Sequence, residues 1–373
     1  MIDPNNFIRC LEKNDISFFT GVPDSLLKGF CQAIDKKKNH ISSINEGSAV
    51  GLGVGYYLAK KKIPLIYLQN SGLGNIVNPI LSLANKKVFK IPLFFLIGWR
   101  GEKSKNYIKK DEPQHIYQGI VTEKLLKILQ IKYRILSKNS NYIKLIKDLK
   151  KISLKNQCLV ALLVRKNTFK NLSKTKEKNI KKKFLLREKI LEIILKKIPD
   201  KTNIISTTGF LSRELMIVKK EVKKKINPFY CVGGMGHAIS IANGIAAIKR
   251  KKKILCLDGD GAALMHLGAM AYSGKNKNLI HILINNGVHD SVGSQKIAGE
   301  KLNFAITAEG MGYKNIFVCK NKNEIIKSIN SAFKKKDSVF IEIKSQFGHR
   351  KNLPRPEDSL INLKKKFINH LKQ

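Results

Sequence analysis

Acidic residues are scarce in this 373-residue chain: 27 Asp and Glu stand against 71 Lys and Arg, for a formal net charge of +44. Arginine is scarce too, with nine in all, and Lys triplets recur along the whole chain at 60–62, 181–183, 223–225, 251–253, 334–336 and 364–366. Nucleic-acid binders gather basic residues on one face, often with Arg for two-pronged contacts. A dispersed Lys excess beside abundant Ile and Asn reads instead as compositional bias, and no nucleic-acid partner is expected. Its field still favours anionic substrates. No run approaches the roughly 18 uninterrupted apolar residues of a spanning helix, so no membrane association is expected. The start, MIDPNNFIRC, lacks a basic stretch followed by an apolar run, so no secretory leader is expected. The six Cys (10, 31, 158, 231, 256, 319) form no CxxC pair. That fits thiols in a reducing cytoplasm better than a disulfide frame or a zinc site. No GxGxxG follows an expected strand with an acid about 20 residues on, which disfavours a nucleotide-dependent oxidoreductase.

What is present is enough apolar residue for large cores: 43% of the chain. The length suggests two or three domains at roughly 100–200 residues each. Apolar runs suited to buried parallel strands lie at 17–22, 63–69, 91–99 and 158–164, then at 203–208, 253–258, 279–285 and 339–344. Helical patterns fall between them, at about 24–37, 47–61, 74–86, 116–130 and 141–151, and later at 187–197, 236–249, 262–274, 302–311, 323–335 and 359–371. This alternation predicts an α/β protein with two parallel sheets, each covered by helices on both faces. The polar, Lys-rich stretch 166–184 reads as a linker between domains at 1–165 and 185–373.

Scarcity makes each carboxylate in a motif stand out. The expected strand KILCLD runs into Gly259-Asp260-Gly261, and the next strand ends at Asn285-Asn286, with Asn286 26 positions beyond Asp260. Strand ends of this kind meet at the carboxyl edge of a parallel sheet, where ligands bind. A carboxylate and an amide carbonyl are hard oxygens that suit Mg²⁺. The glycines let backbone approach a diphosphate, and the helix start that follows offers N–H groups. A lone Gly-Asp-Gly is more often a tight turn; Asn-Asn at the end of the next strand argues against that. Upstream, Asn45-Glu46-Gly47 stands between HISSI and a helix rich in Gly and Ala. A carboxyl buried there can hold or share a proton, and a helix-capping carboxylate is equally compatible.

The spacing of GDG and NN resembles the thiamine diphosphate enzymes. Nine blocks in order narrow the resemblance to the 2-oxo acid decarboxylases acting on phosphonopyruvate and, as a close relative, sulfopyruvate: GVPDSLL (21–27), NEGSAVGLGVGYYLA (45–59), YLQNSGLGNIVNPILSLA (67–84), IGWRGE (97–102), KDEPQHIYQG (110–119), TTGFLSREL (207–215), GGMGHA (233–238), LDGDGAALMHLG (257–268) and NNGVHDSVG (285–293). The resemblance implies two thiamine-diphosphate-binding-fold domains, a pyrimidine-binding one (1–165) and a diphosphate-binding one (185–373). The implied cofactors are thiamine diphosphate and Mg²⁺. Implied metal ligands are Asp260, Asn286 and the main-chain carbonyl of Val288. Gly259, Asp260, Gly261 and Asn286 would hold the diphosphate. Met235 would prop the bent cofactor and the Gly233 carbonyl would accept from its aminopyrimidine, although packing alone also explains a Met there. Glu46 would bond the pyrimidine nitrogen that activates the cofactor.

The same resemblance implies catalytic roles for Asp24 and His115 and substrate contacts for Arg100, Asn70, Ser71 and His115. The sequence alone leaves rivals open: Asp24 as an N-cap, His115 as a surface histidine, Arg100 as a solvated strand-end charge. His237, His289 and Asp290 are further polar groups near the cofactor motifs. The implied reaction is decarboxylation of 3-phosphonopyruvate to phosphonoacetaldehyde in phosphonate biosynthesis, with the sulfonate analogue as the alternative substrate. The fused single chain, DEPQH and GWRGE favour the phosphonate. The implied assembly is a homo-oligomer with its sites at the subunit interface. Two departures stand out: a Lys-rich KSKNYIKK at 103–110, and Ser294 where a second glycine is usual.

Overall fold

The apolar runs become the central strands of two parallel sheets, because a strand buried on both faces has no polar side to show. The computed structural model describes residues 1–35, 37–102, 111–172, 184–299, 301–350, 352–354 and 358–373. KSKNYIKK at 103–110 and positions 173–183 of the Lys-rich stretch lie outside the described residues. The chain divides into one unit of residues 1–176 with 292–298 and another of 177–291 with 299–373.

The first unit holds strands β1 (Phe19–Gly21), β2 (His40–Ser42), β3 (Leu65–Gln69), β4 (Phe94–Gly98), β5 (Lys132–Leu136) and β6 (Val160–Val164). They run in the order β2-β1-β3-β4-β6-β5, every pairing parallel. Its helices are α1 (Pro4–Lys13), α2 (Lys28–Ile34), α3 (Glu46–Lys60), α4 (Leu73–Pro79), α5 (Pro113–Ile128) and α6 (Tyr142–Asn156). Phe7 and Leu11 of α1, Phe30 of α2 and Leu149 of α6 pack on Phe19, Leu65, Phe94 and Leu162 from one face. Val50 of α3, Ile76 of α4 and Leu126 of α5 pack on Ile66, Phe95 and Leu163 from the other.

The second unit holds β7 (Leu185–Leu186), β8 (Asn203–Ser206), β9 (Phe229–Tyr230), β10 (Ile254–Gly259) and β11 (Leu279–Asn285). β12 (Val288–His289) lies outside the sheet; β13 (Gln295–Lys296), also outside both sheets, falls in the stretch that belongs to the first unit, and β14 (Asn315–Cys319) and β15 (Val339–Gln346) follow in the second. The order is β14-β15-β11-β10-β8-β9, with β7 beside β15, again all parallel. The helices are α7 (Arg187–Lys197), α8 (Phe210–Glu221), α9 (Ala238–Ile248), α10 (Asp260–Met265), α11 (Phe304–Gly310), α12 (Lys322–Lys334) and α13 (Leu360–Lys372). α7, α8 and α12 cover one face through Ile194, Leu215 and Ile329. α9 and α13 cover the other through Ala242 and Phe367.

Three expected helices are interrupted. The stretch 24–37 opens as a 3₁₀ turn, Ser25–Leu27, before α2. The stretch 74–86 leaves α-geometry at Pro79 and continues as a π turn over Ile80–Ala84; a proline cannot donate the bond that would hold the regular ladder. The stretch 262–274 ends its α-helix at Met265 and goes on as 3₁₀ over Leu267–Lys275. No helix among the described residues is long and apolar enough to cross a membrane.

Candidate functional site

Each sheet gathers its motif residues at the carboxyl ends of four adjacent strands, the edge where α/β sheets bind ligands. In the second unit these are β11, β10, β8 and β9, followed by Asn286, Asp260, Thr207-Thr208-Gly209 and Gly233–His237 respectively. Parallel register sets Gly259 of β10 against Ile284 of β11, which brings Asp260 to the turn after Asn285. Asp260 is buried, and its Oδ1 accepts from the Gly261 N–H at 2.7 Å. Its Oδ2 accepts from the N–H groups of Asn286 at 3.0 Å and Gly287 at 2.6 Å. Burial pushes the Asp260 carboxyl up to about 6, against the pull of those three backbone donors. Asn286 Oδ1 accepts from the Val288 N–H at 3.1 Å, and its Nδ2 donates to Asp290 Oδ2 at 2.9 Å.

These groups border a cavity of about 80 Å³ that also meets Thr207, Met235, Gly259, Val288, His289 and Ser291. Thr207 Oγ1 is buried with no hydrogen-bond partner among the described residues. His289 beside it has its pKa lowered to about 4 by burial, so its ring is neutral at neutral pH. Gly233, half-buried, and Met235 precede α9. His237 sits at the cap of α9 with its ring stacked on His266 at 4.4 Å. Outside the cavity, strand neighbours Asp258 and His281 form a fully buried pair, Oδ2 to Nε2 at 3.7 Å, with His281 Nδ1 2.9 Å from the Tyr313 hydroxyl.

In the first unit the four strands are β2, β1, β3 and β4, followed by Glu46, Asp24, Asn70-Ser71 and Arg100. Glu46 opens α3 behind the Asn45 N-cap and is buried. Its Oε2 accepts from Asn75 Nδ2 at 2.7 Å, and its carboxyl lies so close to Gly72 that a Cβ there would sit 2.4 Å from Oε1. Asp24 is 1% exposed and caps the 3₁₀ turn, its Oδ2 accepting from the Leu26 N–H at 3.2 Å. Burial drives its pKa up to about 6 in spite of the nearby Arg100 charge and the backbone donors. Gly98 is required beside it, since a Cβ there would fall 1.9 Å from Asp24 Oδ2.

Arg100 is not a free fork. Its Nε donates to Asp111 Oδ2 at 2.8 Å, its Nη2 to Asp111 Oδ1, and its Nη1 to Ser25 Oγ at 3.1 Å. Burial of Asp111 works against its charge, yet Arg100 and two backbone N–H groups hold that carboxyl well below its usual range. Two of the five guanidinium N–H groups have no partner among the described residues. Asn70 is engaged at both ends of its amide: Nδ2 donates to the Arg100 carbonyl and to Thr122 Oγ1, both at 2.9 Å, and Oδ1 accepts from the Arg100 N–H at 3.1 Å. It fixes the backbone that carries Arg100. Ser71 is exposed and takes a bond from Gln69 at 2.7 Å. His115, in the first turn of α5, is half-buried, and burial followed by the Arg100 charge lowers its pKa. Its Nδ1 is buried without a partner among the described residues.

Asp111, Asn75 and Thr207 were not singled out by sequence reasoning. Asp111 had a usable signal, as the first of two adjacent acids directly after the Lys-rich KSKNYIKK. Nothing in the sequence marks Asn75 or the Arg187 that donates to Asp290 at 3.1 Å.

Two family models match this chain, one in each half. The profile of the thiamine pyrophosphate enzyme N-terminal TPP binding domain matches residues 5–125, and that of the C-terminal TPP binding domain matches 215–343. A phosphonopyruvate decarboxylase of Streptomyces viridochromogenes is 26% identical over 386 residues, spanning 98% of this chain and 94% of the relative. A sulfopyruvate decarboxylase of Methanosarcina acetivorans is 26% identical over 362 residues, spanning 90% and 89%. The sulfopyruvate decarboxylase subunit alpha of Methanococcus maripaludis is 36% identical over 151 residues, spanning 40% of this chain and 86% of the relative.

Proposed function

Because the chain belongs to the thiamine diphosphate-dependent 2-oxo acid decarboxylases, we propose that it converts 3-phosphonopyruvate to phosphonoacetaldehyde and CO₂. The observation that carries this choice is the end-to-end match to phosphonopyruvate decarboxylases from two Streptomyces species, at 26% and 27% identity. The fused chain does not discriminate, since the Methanosarcina acetivorans sulfopyruvate decarboxylase is matched over 89% of its own length by this one chain. Sulfopyruvate is the second reading, favoured by the higher local identity to its separate subunits, 36% and 35%.

The residues fit the cofactor. Asp260 is a buried carboxylate whose hydrogen bonds come from three backbone N–H groups, with no cationic side chain bonded to it among the described residues. Thr207 Oγ1 is an orphaned donor in the same cavity. Asp260, Asn286 Oδ1 and the Val288 carbonyl would hold Mg²⁺ through hard oxygens. Gly259 and Gly261 would meet the diphosphate, Met235 and the Gly233 carbonyl the rings, and Glu46 the pyrimidine nitrogen. When bound, thiamine diphosphate supplies the electron sink for the electrons left by departing CO₂.

The chain's own residues do the rest. Asp24, protonated below about 6, delivers a proton to the carbon that loses CO₂, a general-acid role. Arg100, pinned by Asp111, turns its remaining N–H groups toward the anionic end of the substrate. His115 holds or accepts a proton at its unpartnered Nδ1. Asn70 acts through Arg100, and Ser71 lies at the adjoining strand end. Cytoplasmic phosphonate biosynthesis is the setting this reading implies. The assembly is a homo-oligomer whose least member is a dimer, which sedimentation of the cofactor-loaded protein tests.

The substrate test is direct. Pure protein with thiamine diphosphate and Mg²⁺ is given phosphonopyruvate or sulfopyruvate, and CO₂ and aldehyde are followed. A higher kcat/KM on the phosphonate is expected; preference for the sulfonate overturns the first reading, and inertness toward both overturns the pair.

A further inference from the structure

Asn286 faces a choice that a carboxylate ligand does not. Its amide has two ends of nearly equal size and opposite function, and only Oδ1 can meet a cation. The wrong orientation would turn an NH₂ group on the metal. Something must hold the amide one way round, and the structure shows what does. Asn286 Nδ2 donates to Asp290 Oδ2 at 2.9 Å. A carboxylate only accepts, so it selects the NH₂ end and leaves Oδ1 to the other side. There Oδ1 takes the Val288 N–H at 3.1 Å and keeps a second lone pair.

Asp290 is itself held. Its Oδ2 also accepts from Arg187 Nη1 at 3.1 Å and from the Gly348 N–H at 3.4 Å. Arg187 is fixed in turn by a two-pronged bond to Glu214 of α8, Nε to Oε2 at 2.6 Å and Nη2 to Oε1 at 3.2 Å. The side chains of Arg187, Glu214 and Asp290 are 7%, 1% and 7% exposed. The relay thus joins α7, α8 and the turn after β12, three elements distant in sequence, on one amide.

We propose that Asp290, braced by Arg187 and Glu214, is a positioning residue for the metal site that sets the orientation of Asn286. This rests on the reading of Asp260 and Asn286 as Mg²⁺ ligands. Partners of a ligand are worth about 10–100-fold in metal affinity. Arg187 also places a positive charge beside Asp290, so that the second carboxylate is satisfied without competing for the cation.

The test uses the full chain with thiamine diphosphate and Mn²⁺ in place of Mg²⁺, free Mn²⁺ being read by electron paramagnetic resonance. Asn286→Ala should weaken Mn²⁺ binding. Asp290→Ala should weaken it by about 10–100-fold, while Asp290→Asn, whose carbonyl still accepts from Asn286, should stay within a few-fold of wild type. In an Asn286→Ala background, Asp290→Ala should cost nothing further. The melting temperature of the protein without metal or cofactor reports any purely structural loss, which would be the same in both backgrounds. Should Asp290→Ala fail to fold, Asp290→Leu fills the space without an acceptor and carries the same forecast. Wild-type binding by Asn286→Ala overturns the metal reading itself. Weak binding by Asn286→Ala with normal binding by Asp290→Ala, or additive losses in the double variant, overturns the positioning role alone.

Discussion

Replacing Asp24 by Asn separates capping from chemistry. Asn is as good an N-cap as Asp, so the bond from the Leu26 N–H at 3.2 Å survives with the amide oxygen as acceptor. What disappears is the titratable proton and the buried charge. Moving an Asp from 3.8 to about 6 means that the ionised native state carries roughly 3 kcal/mol of unfavourable free energy, at about 1.4 kcal/mol per tenfold. The sign follows from proton counting. Between 3.8 and about 6 the folded state binds the extra proton, so wild-type stability falls as pH rises through that window and the cost is fully present above it. Asp24→Asn should therefore be more stable than wild type near neutral pH, by up to about 3 kcal/mol, and the advantage should fade below about pH 4. At roughly 2–4 °C per kcal/mol for chains of this class, the melting temperature should rise by several degrees at pH 8.

Turnover should move the other way. Loss of a general acid costs about 10²–10⁴-fold, while binding of thiamine diphosphate and Mg²⁺ is unchanged. The assays are a thermal melt at pH 8 and pH 4 beside steady-state CO₂ release. An Asp24→Asn protein with wild-type turnover would reduce Asp24 to a cap and send the search for the proton donor to His115 or His237. A variant less stable than wild type at pH 8 would refute the energetic argument.

Two further predictions concern the cofactor. Glu46→Gln keeps size and an acceptor for Asn75 but loses the exchangeable proton, so folding and diphosphate binding should persist while C2–H exchange of bound cofactor, followed by NMR, slows by a large factor; unchanged exchange counts against Glu46. Gly72→Ala should slow that exchange as well, because the new Cβ would sit 2.4 Å from Glu46 Oε1 and displace the carboxyl. Asp260→Ala should abolish retention of thiamine diphosphate in equilibrium dialysis, with chelation mimicking it in wild type and added Mg²⁺ rescuing only wild type; tight retention by the variant removes the metal assignment.

The central strands were legible because burial on both faces leaves a continuous apolar run, as in FFLIG of β4 and VALLV of β6, every residue buried. Edge strands carry no such signature. KYRIL of β5 alternates exposed and half-buried residues, and NIFVC of β14 is mostly half-buried, so both escaped the apolar pattern. Helix α1 was missed although Asp3 caps it through the N–H groups of Asn5 and Asn6 and Phe7, Ile8 and Leu11 share its buried face; ten residues that open Pro-Asn-Asn look like loop. Ser294, noted where glycine is usual, takes a φ of 62°, a left-handed conformation that glycine adopts at less cost. In the site, Gly-Asp-Gly and Asn-Asn were readable because the chemistry lies in adjacent residues. The grip of Asp111 on Arg100 spans 11 positions and that of Arg187 on Asp290 spans 103; only the fold makes those neighbours.

The scarcity of acids gains meaning once burial is known. In a chain of +44, seven carboxylates are buried among the described residues: Asp24, Glu46, Glu102, Glu214, Asp258, Asp260 and Glu342. Burying an ion costs several kcal/mol, which a well-placed partner offsets. Glu102 pairs with Arg165, Glu214 with Arg187 and Glu342 with Lys344, while Asp258 takes the Gly259 N–H and stands 3.7 Å from His281 Nε2 without a hydrogen bond to it. The other three form no ion pair among the described residues, although 71 basic side chains were on offer. Glu46 has a neutral amide, Asp24 a backbone N–H, and Asp260 three backbone N–H groups. A Lys on any of them would have been the easy structural solution, and it would have blocked the proton transfer or metal contact proposed for that carboxylate. These three buried acids, which have no basic side chain in ion-pair distance among the described residues, follow β1, β2 and β10 at their carboxyl ends. Under the proposed function these are the carboxylates assigned to proton delivery, to the pyrimidine nitrogen and to the divalent cation.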